Sequence, residues 1–142
     1  MKINAIETTF HLAHAIKQQL GAKLEAKKLG IAPMHIRVLK VINKHKSCTA
    51  IDIASLFKRD KAQITRLVKQ LIELEFVEKE PNPEDKRSQL LVLTPQGKDL
   101  QESLSSFSEE MQTQITQDID IDDLLTFVNV AEKMTKNLTK QD

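Results

Sequence analysis

TAIDIASLFKRDKAQITRLVKQLIELEFVEKEPNPEDKRSQLLVLTPQG, residues 49–97, holds four changes of hydrophobic period in fewer than fifty positions. Thr49-x-x-Asp52 has the spacing of a capping box, with Asp in the place of the usual Glu, and opens a short helix over 50–57. Ile53, Ala54, Leu56 and Phe57 supply its apolar side. Lys58-Arg59-Asp60 makes a turn, and Asp60 is a good N-cap for a helix over 61–75. In that helix Ile64, Leu67, Val68, Leu71 and Ile72 recur at the spacing of a single apolar stripe. Its other face carries Ala62, Gln63, Arg66, Lys69, Gln70 and Glu73, with Lys61 at its start and Thr65 on its flank. Two extended runs follow, 76–80 and the strongly apolar 89–94, on either side of the polar loop Pro81–Ser88. Thr94-Pro95 then starts a further long helix, with Thr94 as cap and proline at the first helical position.

A short capped helix, a three-residue turn, an amphipathic helix and a β-ribbon form the plan of a helix-turn-helix with a wing. The second helix of such a pair has the width to enter a major groove. Arg, Lys, Gln and Thr are side chains that read base edges or hold phosphates there. The candidate groove-facing residues are Lys61, Gln63, Thr65, Arg66, Lys69 and Gln70, and the candidate wing residues are Asp85, Lys86, Arg87 and Ser88. The cations at the wing tip can reach a minor groove. Charge distribution supports this reading. Between Ile36 and Leu71 nine basic residues face two acids, whereas from Gln101 onward nine acids face three lysines. A net charge of +1 hides this division into a face suited to polyanions and another kept away from them.

Outward from this core, Ile3, Ile6, Phe10, Ala13, Ile16 and Leu20 predict a helix over 3–27, and Pro33 opens another over 33–45. Beyond Pro95 the long helix runs to about Asp118, and a last one covers 122–139 with Leu124, Leu125, Phe127, Val128, Ala131, Met134 and Leu138 on one face. The first helix and the last two carry apolar stripes with no remaining core to cover. A two-fold mate would bury them, so a homodimer is expected, with Ile3, Ile6, Phe10, Leu124, Phe127, Val128 and Leu138 at its interface. The expected architecture is mainly α with a small β-wing (α+β). One domain, 1–142, contains a winged helix-turn-helix lobe over 33–100, flanked by dimerisation helices over 1–30 and 101–142.

The region from Thr49 to Leu100 resembles the MarR (multiple antibiotic resistance regulator) family. The most specific match is Asn82-Pro83-Glu84-Asp85-Lys86-Arg87-Ser88, followed by Leu90, Val92, Leu93, Thr94-Pro95 and Gly97; Ile64-Thr65-Arg66-Leu67-Val68 also fits the recognition-helix pattern. The resemblance implies a dimeric transcription regulator, usually a repressor, acting on a pseudo-palindromic double-stranded operator. It implies that Asp85 holds the wing arginine in place. It also implies that a small lipophilic or phenolic anion serves as effector, with no cofactor. Two positions depart from the pattern. Lys58 and Glu75 stand where the family often has glycine, and glycine eases a left-handed helix end. If Glu75 keeps that conformation it costs up to ~1–2 kcal/mol, so a shift of about a residue at the end of the recognition helix is expected.

Other classes fare worse. No Trp or Tyr and only five Phe leave little for a base-stacking platform. The single Cys48 excludes an internal disulfide and a cysteine-rich zinc site. His11 and His14 share a helix face, but no HExxH or cysteine cluster joins them, so no metal is expected. Cys48 precedes a helix N-terminus, which lowers a thiol pKa, yet a packed, idle residue is the commoner outcome. Asp118–Asp123 lacks the glycine and terminal Glu of an EF-hand loop. No nucleophile elbow, phosphate-cradling glycine loop or paired carboxylates mark an enzyme. No apolar run approaches ~18 residues, and no signal peptide is evident, so no membrane association and a cytoplasmic location are expected. The competing reading is a winged-helix protein-interaction module without DNA binding, which would have no need of the basic stripe from Arg37 to Lys69.

Overall fold

The computed structural model describes residues 2–140. Six helices and a two-stranded sheet follow in the order α1 (Ala5–Lys27), α2 (Pro33–Lys44), α3 (Ala50–Phe57), α4 (Lys61–Glu73), β1 (Val77–Pro81), β2 (Gln89–Leu93), α5 (Pro95–Ile115) and α6 (Ile121–Thr139). This is the mainly helical, β-winged arrangement read from the sequence.

Local chemistry sets most boundaries. Asn4 Oδ1 accepts from Glu7 N–H at 3.1 Å, so α1 begins at Ala5 rather than at Ile3. The capping box of α3 is reciprocal: Thr49 Oγ1 accepts from Asp52 N–H at 3.2 Å, and Asp52 Oδ2 accepts from Thr49 N–H at 3.0 Å. Asp60 Oδ1 accepts from Ala62 N–H at 3.3 Å and starts α4. That helix ends at Glu73, two residues before the expected Glu75. Glu75 adopts φ 66°; its N–H donates to Ile72 O at 2.9 Å, and Phe76 N–H donates to Leu71 O at 3.0 Å. This paired closure is the one glycine usually serves, and Glu75 retains it at the steric cost of a Cβ in left-handed backbone. Phe76 is thereby drawn into the turn, so β1 starts one residue later than the expected 76. Lys58, with φ 52°, closes α3 in the same left-handed conformation.

The strands pair antiparallel from Val77↔Leu93 to Pro81↔Gln89. Pro81, which has no N–H to give, sits at the ribbon's end. On the other side of β2, Cys48 forms an isolated bridge with Leu91, whose N–H donates to Cys48 O at 2.8 Å. The approach to α3 is thus stitched to the ribbon. α5 stops at Ile115 instead of near Asp118, because the chain turns through Asp118 at φ 59° and Ile119 N–H bonds back to Thr116 O.

The chain divides into two compact units, one ending at Leu104 and the other starting at Ser105. α1 therefore groups with the helix-turn-helix elements. The core of the first unit includes Leu24, Val38, Leu39, Ile53, Ile64, Leu71, Val77 and Leu100, with Ile64 and Leu71 of α4 fully sealed. Burying such side chains is worth roughly 1.5–3 kcal/mol each. The second unit holds no buried residue among those described. On α6, Ile121 and Val128, and Leu124, Ala131 and Leu138, repeat at seven-residue intervals along the helix. Such a seam suits a second helix.

Candidate nucleic-acid interface

α4 presents three sides, and its periodicity separates only the innermost. Ile64, Val68 and Leu71 face the core. Lys61, Thr65 and Lys69 line a concave cleft of about 570 Å³, closed on its far side by Lys79 of β1 and by Arg87 and Ser88 of the wing. Val68, Ile72, Ile51 and Leu91 give it apolar lining, and Thr49 and Ala50 at the start of α3 border it. Four cations line this cleft and no carboxylate does. None of Lys61, Lys69 and Lys79 has an ion-pair partner among the described residues. Arg66 lies on the exposed side of α4, outside the cleft. Gln63 is half-buried, and Gln70 is tied toward α2 through a 2.7 Å hydrogen bond between its Oε1 and His35 Nε2. The expected recognition set therefore divides: Lys61, Thr65 and Lys69 on the wing side, Arg66 outward, Gln70 on the α2 side.

The wing loop is ordered by its own side chains. Asn82 Oδ1 accepts from Glu84 N–H at 3.0 Å, and Asn82 Nδ2 donates to Ser88 Oγ at 3.1 Å. Asp85 Oδ1 accepts from Arg87 N–H at 2.9 Å and from Arg87 Nε at 3.4 Å. The Arg87 side chain remains 93% exposed, so this ion pair aims the guanidinium without burying it. Lys86 is exposed beside it. Lys79 is the cleft cation that sequence reading missed. Its signal was a lone lysine between Glu78 and Glu80 on a strand with weak alternation.

The interface candidates on the terminal helices are laid bare: Ile3, Ile6 and Phe10 near the start, and Phe127, Val128 and Leu138 on α6, are exposed, and Leu124 is half-buried. Ile121, Leu125, Val130 and Met134 of α6 are also exposed and were absent from the expected set. Cys48 is buried, and burial, helped by the Asp52 carboxylate, pushes its thiol up to about 11. It packs at the α3 approach; a neutral thiol is a poor nucleophile. His11 pairs with Glu7 at 3.2 Å on the exposed face of α1.

Comparison with known proteins agrees with this geometry. A family model described as the MarR family matches residues 29–88. The HTH-type transcriptional regulator SAS2155 of Staphylococcus aureus strain MSSA476 is 30% identical over 106 residues, covering 73% of each chain. The chain belongs to the MarR family. Among solved structures, the MepR–DNA complex of S. aureus superposes with a TM-score of 0.87 at 20% identity, over 96% of this chain and 97% of that one. A MarR/EmrR family regulator from Acinetobacter sp. ADP1 superposes with a TM-score of 0.81 at 24% identity, over 98% of this chain and all of the other. At such identities the likeness is one of fold. Members of this family are helix-turn-helix transcriptional regulators, and regulation of transcription is the role of this chain.

Proposed function

We propose that the protein is a homodimeric regulator, a repressor by family habit, that binds a pseudo-palindromic duplex by placing α4 in the major groove and the wing in the adjacent minor groove. The observation that carries this reading is the cleft between α4 and the wing, with Lys61, Lys69, Lys79 and Arg87 around it and no carboxylate among them. A sugar–phosphate strand crossing from one groove to the next fits that space, and the four cations offer it counter-charges. S. aureus MepR, which shares the fold, was solved with DNA. Arg66 faces the groove floor and Arg87 the minor groove. Two copies pair through the exposed apolar faces of α1 and α6, which spaces the recognition helices about one helical turn apart. A lipophilic or phenolic anion that alters that spacing would lower DNA affinity, with a coupling of order 1–3 kcal/mol. No helix among the described residues is long and apolar enough to cross a membrane; the proposed DNA partner supports a cytoplasmic location.

A salt titration tests the reading. If each cleft cation meets one phosphate, log K falls against log salt with a slope of about −3.5 per protomer. Arg87→Ala should weaken an enriched duplex and a random one together and flatten the slope by about one unit per protomer. Arg66→Ala should weaken the enriched duplex selectively, by ~1–3 kcal/mol. Neither change should alter the dimer. Arg87→Ala binding both duplexes as tightly as the parent would remove the wing from the interface.

A further inference from the structure

His35 is the one buried side chain among those described that is polar, and neither the cleft nor the apolar core explains it. Its ring joins two elements. Nδ1 lies 2.9 Å from the Ala32 nitrogen at the N-cap of α2, and Nε2 lies 2.7 Å from Gln70 Oε1 on α4. A main-chain N–H can only donate, so Nδ1 is an acceptor and the ring proton is on Nε2. Nε2–H in turn requires an acceptor, which fixes the Gln70 amide with its oxygen toward α2. One backbone N–H thus sets the imidazole tautomer, and the tautomer sets the amide.

The consequence reaches the surface of α4. Gln70 is exposed apart from this bond, and with its oxygen toward α2 its NH2 group is the part turned away from His35. A free glutamine pairs with adenine through both its oxygen and its nitrogen. A glutamine whose oxygen is drawn toward α2 leads with its NH2, which donates to a phosphate oxygen, to guanine O6 or N7, or to thymine O4. We propose that His35 is a positioning residue for the recognition helix, holding the Gln70 amide with its oxygen toward α2 and its NH2 outward and so setting what α4 offers DNA on its α2 side. This rests on the DNA-binding reading above.

The two halves of the bridge can be cut separately. His35→Asn keeps an acceptor near the Nδ1 position for Ala32 N–H but is too short for Gln70. His35→Gln places an amide nitrogen near the Nε2 position but gives up the Ala32 bond. These two variants, with Gln70→Ala and the His35→Asn/Gln70→Ala double variant, are measured for thermal midpoint and for affinity toward two probes: a duplex enriched by the parent protein from a random-sequence library, and its scrambled counterpart. His35→Asn and Gln70→Ala should each weaken the enriched duplex about tenfold, the loss expected for one hydrogen bond to a charged or buried partner. The scrambled duplex should change less, and the double variant should be no worse than either single one. His35→Gln should melt lower than the parent yet bind the enriched duplex nearly as well. A structural role alone would make affinity follow the melting midpoint across the set, and that result overturns the proposal. So does His35→Asn binding like the parent, or an imidazole nitrogen spectrum with the proton on Nδ1. Arg87→Ala is run beside them. If it weakens both duplexes while the His35 variants do not, only the His35 assignment falls; if the parent binds neither duplex in a salt-dependent way, the DNA-binding reading falls with it.

Discussion

Gly97→Ala sets two effects of opposite sign against each other at the base of the wing. Alanine is the better helix former by ~1 kcal/mol in a helix interior, and Gly97 lies in the first turn of α5. Against that gain stands a contact. A Cβ at Gly97 would collide with the Phe76 carbonyl oxygen and lie 3.0 Å from its carbon, with Leu93 Cβ at 3.4 Å. The obstacle is backbone, and it is pinned: Phe76 O accepts from Thr94 N–H at 3.1 Å, Thr94 Oγ1 donates to Glu75 O at 2.6 Å, and Gly97 N–H donates to Thr94 Oγ1 at 3.0 Å. Relief requires α5 and the start of β1 to separate. Overpacking costs ~1–3 kcal/mol, and a fixed carbonyl places this case at the upper end. The net destabilisation is then ~2 kcal/mol, a fall in melting temperature of roughly 6 °C for a chain of this size. Because β1 begins at Val77, the next residue, the wing should also shift, and affinity for an enriched duplex should fall even well below the melting temperature. Thermal melts by circular dichroism, paired with a DNA titration at low temperature, read both effects. Gly21→Ala is the control, since nothing lies within 4 Å of its Cβ position in the middle of α1; it should raise the midpoint. If Gly97→Ala melted at or above the parent, the close approach of α5 to Phe76 would be refuted.

Three further outcomes follow from the structure. Glu75→Gly removes a Cβ from left-handed backbone at φ 66° and should stabilise by up to about 1 kcal/mol once the added unfolded-state freedom of glycine is subtracted; a lower melting midpoint would contradict it. The Cys48 thiol, pushed up to about 11 by burial and by Asp52, favours its neutral form in the fold. The unfolded chain ionises first as pH rises, so this contribution is complete below about 9 and is lost as pH climbs toward about 11. Alkylation near neutral pH should accordingly be far slower in the native protein than in denaturant, and equal rates would argue against a packed thiol. Phe127→Glu puts a charge on the exposed apolar face of α6 and should raise the dimer dissociation constant at least a hundredfold, the effect expected of a hot-spot change worth ~3 kcal/mol; light scattering that still shows a dimer at submicromolar concentration would place the interface elsewhere.

The sequence was most legible where the deciding interactions are short-range. Thr49 and Asp52, Asp60 and Ala62, and Asp85 and Arg87 each find their partners within three residues, so caps, turn and wing loop could be read from spacing. Boundaries slipped where a costly backbone conformation overrode propensity: Glu75 and Asp118 both take positive φ, shortening α4 and α5 against their apolar patterns. The Cys48–Leu91 bridge went unread because a single paired residue leaves no alternation to detect.

The division of α4 exposes a more general limit. Helical periodicity fixes which residues face the core, since burial selects for hydrophobicity. It says nothing about which flank an exposed polar residue occupies relative to neighbouring elements. Lys69 and Gln70 are adjacent in sequence and equally polar, and both belong to the outward arc by periodicity. Yet Lys69 lines the wing-side cleft, while Gln70 is held across α2 by a histidine 35 positions away. The same holds for Lys79, whose membership in the cleft depends on β1 pairing with β2 in a register that carries it opposite Leu91. A basic, amide-rich helix face announces that a polyanion is expected. Which of its side chains grip that polyanion, and which are first spoken for inside the protein, is decided by tertiary partners that no local window contains. For this reason His35, which in the sequence is only one of four histidines, becomes in the fold the residue that determines what Gln70 can offer.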